Sequence, residues 1–272
     1  MTPIGWIGLG NMGTPMSSRL LSAGYPVSVY NRSPERTVAL REAGATVASS
    51  PAALLTQADV VFLMVSDDQA VRELFTGPEG LLQAQATGKL LINMSTVSPG
   101  VSREMAVLCQ AQGHTYLDAP VSGSVKQAES GQLVIMVGGE ESGFAQAQPL
   151  FEHLGKLARY LGPTGNGNVA KLALNTLLGF QAQGLAEALL FAQQHQLQTN
   201  DLMELINNSA LGSVFIKLKG EAVQGENYAA AFALKLLAKD LRLAQAEGLA
   251  TPLAETVVQT FQQAEPALGK RM

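Results

Sequence analysis

The strongest constraint on the fold is a short glycine pattern near the start of the chain, Gly8-Leu9-Gly10-Asn11-Met12-Gly13. It follows the apolar run Ile4-Gly5-Trp6-Ile7 and precedes residues 12–23, whose apolar positions have helical spacing. Strand, G-x-G-x-x-G and helix in that order form a dinucleotide-binding turn. The first glycine allows the tight turn, the second lets the backbone approach a pyrophosphate, and the third lets helix and strand pack closely. The N–H groups of the helix N-terminus then face the anion. A glycine-rich turn without a ligand is the plainer alternative.

Further strand and helix signals alternate behind this loop. Residues 26–30 are strand-like, Val47 is a short strand candidate, residues 59–65 read as a buried strand by length and β-branching, and residues 89–94, 114–118 and 133–137 read as further strands. Ser33-Pro34, Ser50-Pro51 and Ser98-Pro99 each read as a helix start, with serine as cap and proline in the first helical position. Such alternation predicts a mostly parallel, doubly wound α/β sheet with helices on both faces. The pattern changes near residue 163. Residues 166–192 lack proline and are rich in Leu, Ala and Gln, which predicts a helix of about 40 Å at 1.5 Å per residue. No convincing strand follows. The expected domains are therefore α/β over 1–162 and all-helical over 163–272.

Composition excludes several functional classes. A net charge of −4 argues against a basic nucleic-acid-binding surface. One cysteine, Cys109, forms no internal disulfide, and the histidines at 114, 153 and 195 lack ligand spacing, so no metal site is expected. No apolar run reaches the roughly 18 residues of a membrane helix, and no cleavable leader stands out. A soluble cytoplasmic protein is the simplest expectation.

The end of the second strand bears on which dinucleotide would bind. An NAD site usually carries Asp or Glu about 20 residues past the glycines, on the ribose 2′-hydroxyl. Here the strand ends in Asn31-Arg32-Ser33. Arg32 can form charge-assisted bonds to a 2′-phosphate that a carboxylate would repel, and Asn31 and Ser33 add neutral hydrogen-bonding groups. The expectation is NADPH over NADH. The alternative is a turn and helix cap with no ligand role.

Lys171 and Asn175 lie one turn apart near the start of the long helix, behind Gly165-Asn166-Gly167. A lysine there is placed against the helix dipole, which with partial burial would lower its pKa, as suits a proton donor near neutrality. A solvated surface lysine is the competing reading. The runs Asn93-Met94-Ser95-Thr96 and Asp118-Ala119-Pro120-Val121-Ser122-Gly123-Ser124 both end strands, where ligands of open α/β sheets bind. Their Ser and Gly residues could hold a carboxylate, or could simply be turns and caps.

These motifs, with Lys239-Asp240-Leu241 near the end, together resemble the β-hydroxyacid dehydrogenase family, relatives of 3-hydroxyisobutyrate dehydrogenase, over nearly the whole chain. The resemblance implies a Rossmann domain followed by a helical domain, with the active site in the cleft between them. It implies Lys171 as catalytic proton donor, Asn175 orienting substrate or lysine, and Ser122, Gly123 and Ser124 holding the substrate carboxylate. Val65, Ser66 and Thr96 would line the cofactor groove, with Lys239 on the cofactor side and Phe232 and Asp240 at the substrate. Phe232 as plain core and Asp240 in a surface ion pair remain open. Ser122-Gly123-Ser124 and residues 228–240 look most like the glyoxylate and succinic semialdehyde reductase branch. Gln127 departs from the Gly or Pro usual in the family, and the chain stops soon after Phe261.

The leading expectation is therefore NADPH-dependent reduction of small carboxylate-bearing aldehydes, in a homodimer or homotetramer with no nucleic-acid or membrane partner. A 3-hydroxyisobutyrate or tartronate semialdehyde type of dehydrogenase is the alternative within enzymes. Imine reductases generally replace the lysine, and a 6-phosphogluconate enzyme needs a larger helical region. A non-catalytic NADPH-binding module is the alternative of a different class.

Overall fold

A computed structural model describes residues 1–227 and 232–268. The chain forms two compact units, Met1–Leu172 and Ala173–Met272.

In the first unit the elements run β1 (Ile4–Ile7), α1 (Gly13–Ser22), β2 (Val27–Tyr30), a 3-10 turn (Pro34–Thr37), α2 (Val38–Glu42), β3 (Thr46–Val47), α3 (Pro51–Gln57), β4 (Val60–Leu63) and α4 (Asp68–Thr76). After a second 3-10 turn (Leu81–Gln83) come β5 (Leu90–Asn93), α5 (Pro99–Ala111), β6 (Thr115–Asp118), β7 (Val121–Ser122), α6 (Val125–Glu129), β8 (Leu133–Gly139), α7 (Glu141–Leu154) and β9 (Gly155–Tyr160). The strands lie in the order β3-β2-β1-β4-β5-β6-β8-β7, with β9 also on β8. The first six are mutually parallel, while β8 runs antiparallel to both β6 and β7. This is the doubly wound Rossmann order.

Strand periodicity sorts the core into two layers. Trp6, Phe62 and Ile92 point to one face, where Met16, Leu20 and Phe151 cover them. Ile7, Val61, Leu63 and Leu91 point to the other, against Leu54, Leu55, Phe75 and Met105. Trp6 and Phe62 stack at 5.2 Å across β1 and β4.

Two of the three expected serine caps form. Ser50 Oγ accepts from Ala53 N at 3.1 Å, and Ser98 Oγ from Val101 N at 3.2 Å. Ser33 is the exception: it opens a 3-10 turn and its side chain makes no capping bond. β7, β9, α4, α6 and α7 go beyond the strands and helices read from the sequence.

The long helix α8 (Asn166–Gln194) starts in the first unit and continues into the second. α9 (Thr199–Asn207), α10 (Val214–Gln224), α11 (Leu234–Ala246) and α12 (Pro252–Leu268) follow. Among the described residues no strand occurs past Tyr160, and no helix is long and apolar enough to cross a membrane. Leu178 and Phe180 of α8 pack with Leu237 and Leu241 of α11 and Val257, Val258 and Phe261 of α12. Further along, Leu185 and Leu189 pack with Met203 and Ile216.

Candidate active site

The loops that follow the parallel strands line one edge of the sheet. Strand order sets their sequence in space, from Asn31-Arg32-Ser33 after β2, through the glycine loop after β1, to Val65-Ser66 after β4 and Thr96 after β5. Adjacent strands are about 4.8 Å apart, so this edge can follow an extended dinucleotide.

The glycine loop divides its three glycines by task. Gly8 has φ +95°, and a Cβ there would lie 2.1 Å from Met64 O. A Cβ on Gly13 would lie 1.9 Å from Gly8 O, so this glycine lets α1 close onto the loop. A Cβ on Gly10 would meet no protein atom within 4 Å. The fold therefore does not need glycine at 10, whereas a pyrophosphate against bare backbone does. Leu9, Asn11 and Met12 complete the loop, with Leu9 buried, Asn11 exposed and Met12 between the two. This cradle fits a nicotinamide dinucleotide.

Asn31 braces the loop. Its Oδ1 accepts from Leu9 N and its Nδ2 donates to Ser33 O, both at 2.9 Å. The amide thus ties the end of β2 to the glycine turn, a role the sequence alone does not disclose. Arg32 is exposed and Ser33 half-buried.

After β4, Val65 N donates to Ser95 Oγ at 2.8 Å. The exposed Ser66 donates to Asp67 Oδ2 at 2.7 Å, and Asp67 Oδ1 caps α4 at Ala70 N. After β5, Asn93 Oδ1 accepts from Ser95 N at 3.0 Å, while its Nδ2 donates to the hydroxyl of Tyr116. Thr96 is half-buried between the buried Ser95 and Val97. The Val65 and Thr96 loops are therefore joined through Ser95.

Ser122 sits in β7 opposite Val134, and Gly123 has φ +149°. Ser124 is the N-cap of α6, and its backbone N–H donates to Gln127 Oε1 at 2.6 Å. Gln127 therefore closes a capping box from the helix side.

The first turn of α8 rests on Asp118. This fully buried carboxylate accepts from Gly165 N at 2.7 Å and from Asn168 N at 2.8 Å. Burial pushes its pKa above the usual carboxylate range, and the backbone N–H bonds from Gly165, Asn168 and Gly167 pull it back. Asn168 accepts from Val97 N at 3.0 Å and donates to Ser102 Oγ at 3.1 Å. In sequence, Asn168 carries no signal beyond being a polar residue three positions before Lys171.

Lys171 is only 8% exposed, which removes the solvated surface lysine as a description of it. One turn on, the buried Asn175 donates from Nδ2 to Asp240 Oδ2 at 2.6 Å. Lys239 Nζ lies 2.9 Å from Asp240 Oδ1, a charge contact without a directed hydrogen bond. Asp240 is 2% exposed, so its ion pair is buried, and its carboxylate orients Asn175. Phe232, 39% exposed, precedes α11. Residues 228–231 of the segment likened to the reductase branch lie outside the described residues. Cys109 is buried, with its thiol pushed up to about 12, so it stays protonated and unreactive.

Comparison with known proteins bears on the fold and the family. Residues 3–162 match the model of the NAD binding domain of 6-phosphogluconate dehydrogenase. Residues 165–272 match the NAD-binding model of NADP-dependent 3-hydroxyisobutyrate dehydrogenase. The chain is 39% identical to the mitochondrial 3-hydroxyisobutyrate dehydrogenase of Mus musculus over 258 residues, covering 92% of this chain and 77% of that protein. It is 35% identical to glyoxylate/succinic semialdehyde reductase 1 of Arabidopsis thaliana over 265 residues, covering 96% and 92%. Among solved structures, the Mycobacterium tuberculosis 3-hydroxyisobutyrate dehydrogenase with L-serine superposes with a TM-score of 0.89 at 30% identity, over 98% of this chain and 94% of that one.

Proposed function

The chain belongs to the β-hydroxyacid dehydrogenase family of NAD(P)-dependent oxidoreductases, and from that premise we propose that it reduces small carboxylate-bearing aldehydes, such as glyoxylate and succinic semialdehyde, with NADPH. The observation that carries this reading is the burial of Lys171 on the first turns of α8. A lysine withdrawn from water has a task other than solubility.

Bound nicotinamide supplies the hydride for the aldehyde carbon. The Lys171 ammonium donates a proton to the carbonyl oxygen, so that aldehyde, hydride and proton together give the alcohol. Asn175, held by Asp240, sets the polar surroundings of that oxygen. Ser122, Gly123 and Ser124 hold the substrate carboxylate through hydroxyl and backbone N–H groups, and Phe232 forms an apolar wall. Thr96, Val65 and Ser66 border the nicotinamide half of the cofactor. Arg32 and Ser33 take the 2′-phosphate, with Asn31 fixing the loop that presents them. Lys239 faces the cofactor side while neutralising Asp240. The domains act as an NADP-binding body over 1–162 and a helical substrate and assembly body over 163–272. We also infer a homodimer or homotetramer.

Initial rates with NADPH and NADH against glyoxylate, succinic semialdehyde and 3-hydroxyisobutyrate test the reading. Turnover of an aldehyde with NADPH is expected, with weak rates with NADH. Lys171→Ala is expected to lower kcat by about 100-fold or more, the scale of losing a general acid. Near-wild-type turnover in that variant would remove Lys171 from the chemistry. The second reading, oxidation of 3-hydroxyisobutyrate, is favoured by the 39% identity to the mouse enzyme against 35% to the plant reductase. Turnover of 3-hydroxyisobutyrate far above that of either aldehyde would select it.

A further inference from the structure

One buried polar assembly has no part in the reaction steps above. Asn168 sits in the first turn of α8, yet its side chain reaches the two elements behind it. Oδ1 takes the Val97 N–H of the loop after β5, and Nδ2 donates to Ser102 Oγ on α5. Its own N–H is held by Asp118 at the end of β6. Asn168, Asp118 and Ser102 all have no solvent exposure. The surroundings are cut to fit, since a Cβ on Gly138 would lie 2.6 Å from Asp118 Oδ1 and one on Gly167 2.9 Å from Oδ2.

Apolar packing could bind the helix just as tightly, but it is non-directional. Hydrogen bonds of fixed length and angle instead set the helix's position and rotation. Two residues on the bonded elements matter to the chemistry. Val97 directly follows Thr96, and Lys171 stands three positions after Asn168 on the same helical face. A small displacement of this turn would carry Lys171 away from the Thr96 loop, and errors of about 1 Å in such geometry cost about 100-fold in rate.

We propose that Asn168, seated on Asp118, is a positioning residue: it locks the first turn of α8 to the Thr96 loop and so sets the distance of the Lys171 ammonium from the reacting carbonyl. This rests on Lys171 being the proton donor.

The test is a double-mutant cycle of Asn168→Ala and Lys171→Ala. It reads kcat, aldehyde KM, NADPH Kd by fluorescence, and Tm. Asn168→Ala alone is expected to lower kcat by about 10- to 100-fold. NADPH Kd should stay within about threefold, because the glycine loop and the Arg32 loop are untouched. Added to Lys171→Ala, the same change should cost less than about threefold, since two groups acting through one proton transfer are not additive. Unchanged kcat in Asn168→Ala beside an inactive Lys171→Ala overturns the positioning role alone. So does an equal loss in both backgrounds, or a loss confined to NADPH Kd. A fully active Lys171→Ala overturns the proton-donor reading and the positioning role with it. If Asn168→Ala does not fold, Ser102→Ala removes only the Nδ2 anchor. Its kcat should then fall several-fold with the same non-additivity, and wild-type kcat there overturns the proposal.

Discussion

At the scale of single residues, the glycine loop separates folding from binding. A Cβ at Gly10 would meet no protein atom within 4 Å, so Gly10→Val should leave Tm within a few degrees of wild type. The same methyl groups stand where a pyrophosphate must approach the backbone, so NADPH Kd should rise by about tenfold or more, equivalent to about 1.4 kcal/mol. Calorimetry and fluorescence titration of one sample check both halves, and a collapse of Tm would contradict the division. Arg32 gives a second residue-level expectation. It is exposed at the end of β2, with no acid in Asn31-Arg32-Ser33. Arg32→Asp should raise KM for NADPH about tenfold or more through lost charge-assisted bonds and added repulsion, and should leave or improve KM for NADH. Equal effects on both cofactors would place Arg32 away from the 2′-phosphate. The asparagines show where reading residues singly runs out. Asn31 reads in sequence as a neutral hydrogen-bonding group beside Arg32, and the fold adds a bracing role, since both ends of its amide bond backbone, at Leu9 and Ser33.

At the scale of elements, β5 and β6 carry candidate site loops at one end and a buried histidine at the other. His114 Nδ1 accepts from Lys89 N at 3.2 Å, while its buried Nε2 has no hydrogen-bond partner among the described residues. Burial, followed by the charge of Lys89, lowers its pKa, so the fold favours the neutral ring. The unfolded chain takes up the proton near pH 6.5, so stability is full above that value and falls as pH drops toward the lowered folded pKa. Tm measured from pH 7.5 to 5.5 should decline in the wild type and decline less in His114→Asn, whose Oδ1 can keep the Lys89 bond. Parallel curves would contradict this. Elements also differ in how legible they were. β1, β4 and β5 are short, mostly apolar runs buried on both faces, so local sequence marks them. β9 is Gly-Lys-Leu-Ala-Arg-Tyr at a sheet edge, with Leu157 49% exposed, and is a strand because β8 offers it backbone partners. Gly138 and Gly139 look like the turn after an apolar run. They instead prolong β8 so that it pairs with Asp118 and Leu117 of β6.

At the scale of the whole molecule, assembly is the open quantity. α8 exposes Leu174, Leu177, Leu190 and Phe191, at 45%, 53%, 58% and 65%. Exposed apolar side chains of this size mark contact surfaces, and the proposed homo-oligomer would cover them. Light scattering of the purified protein should give a mass of at least twice 28.6 kDa, and a 28.6 kDa species alone would refute the homo-oligomer. By themselves, the residues in order determined the cofactor turn, the alternation of strand and helix, the long α8 and the family. Each is written in patterns that span a few turns or one strand, where neighbours in sequence are neighbours in space. Only the tertiary structure decided what holds those pieces in register. Asp118 meets Gly165 across 47 residues and Asn168 across 50, and Asn168 meets Val97 across 71. No local pattern encodes such bonds. Their geometry exists only once the sheet has brought the strand ends together and excluded the water that would otherwise satisfy the same polar groups.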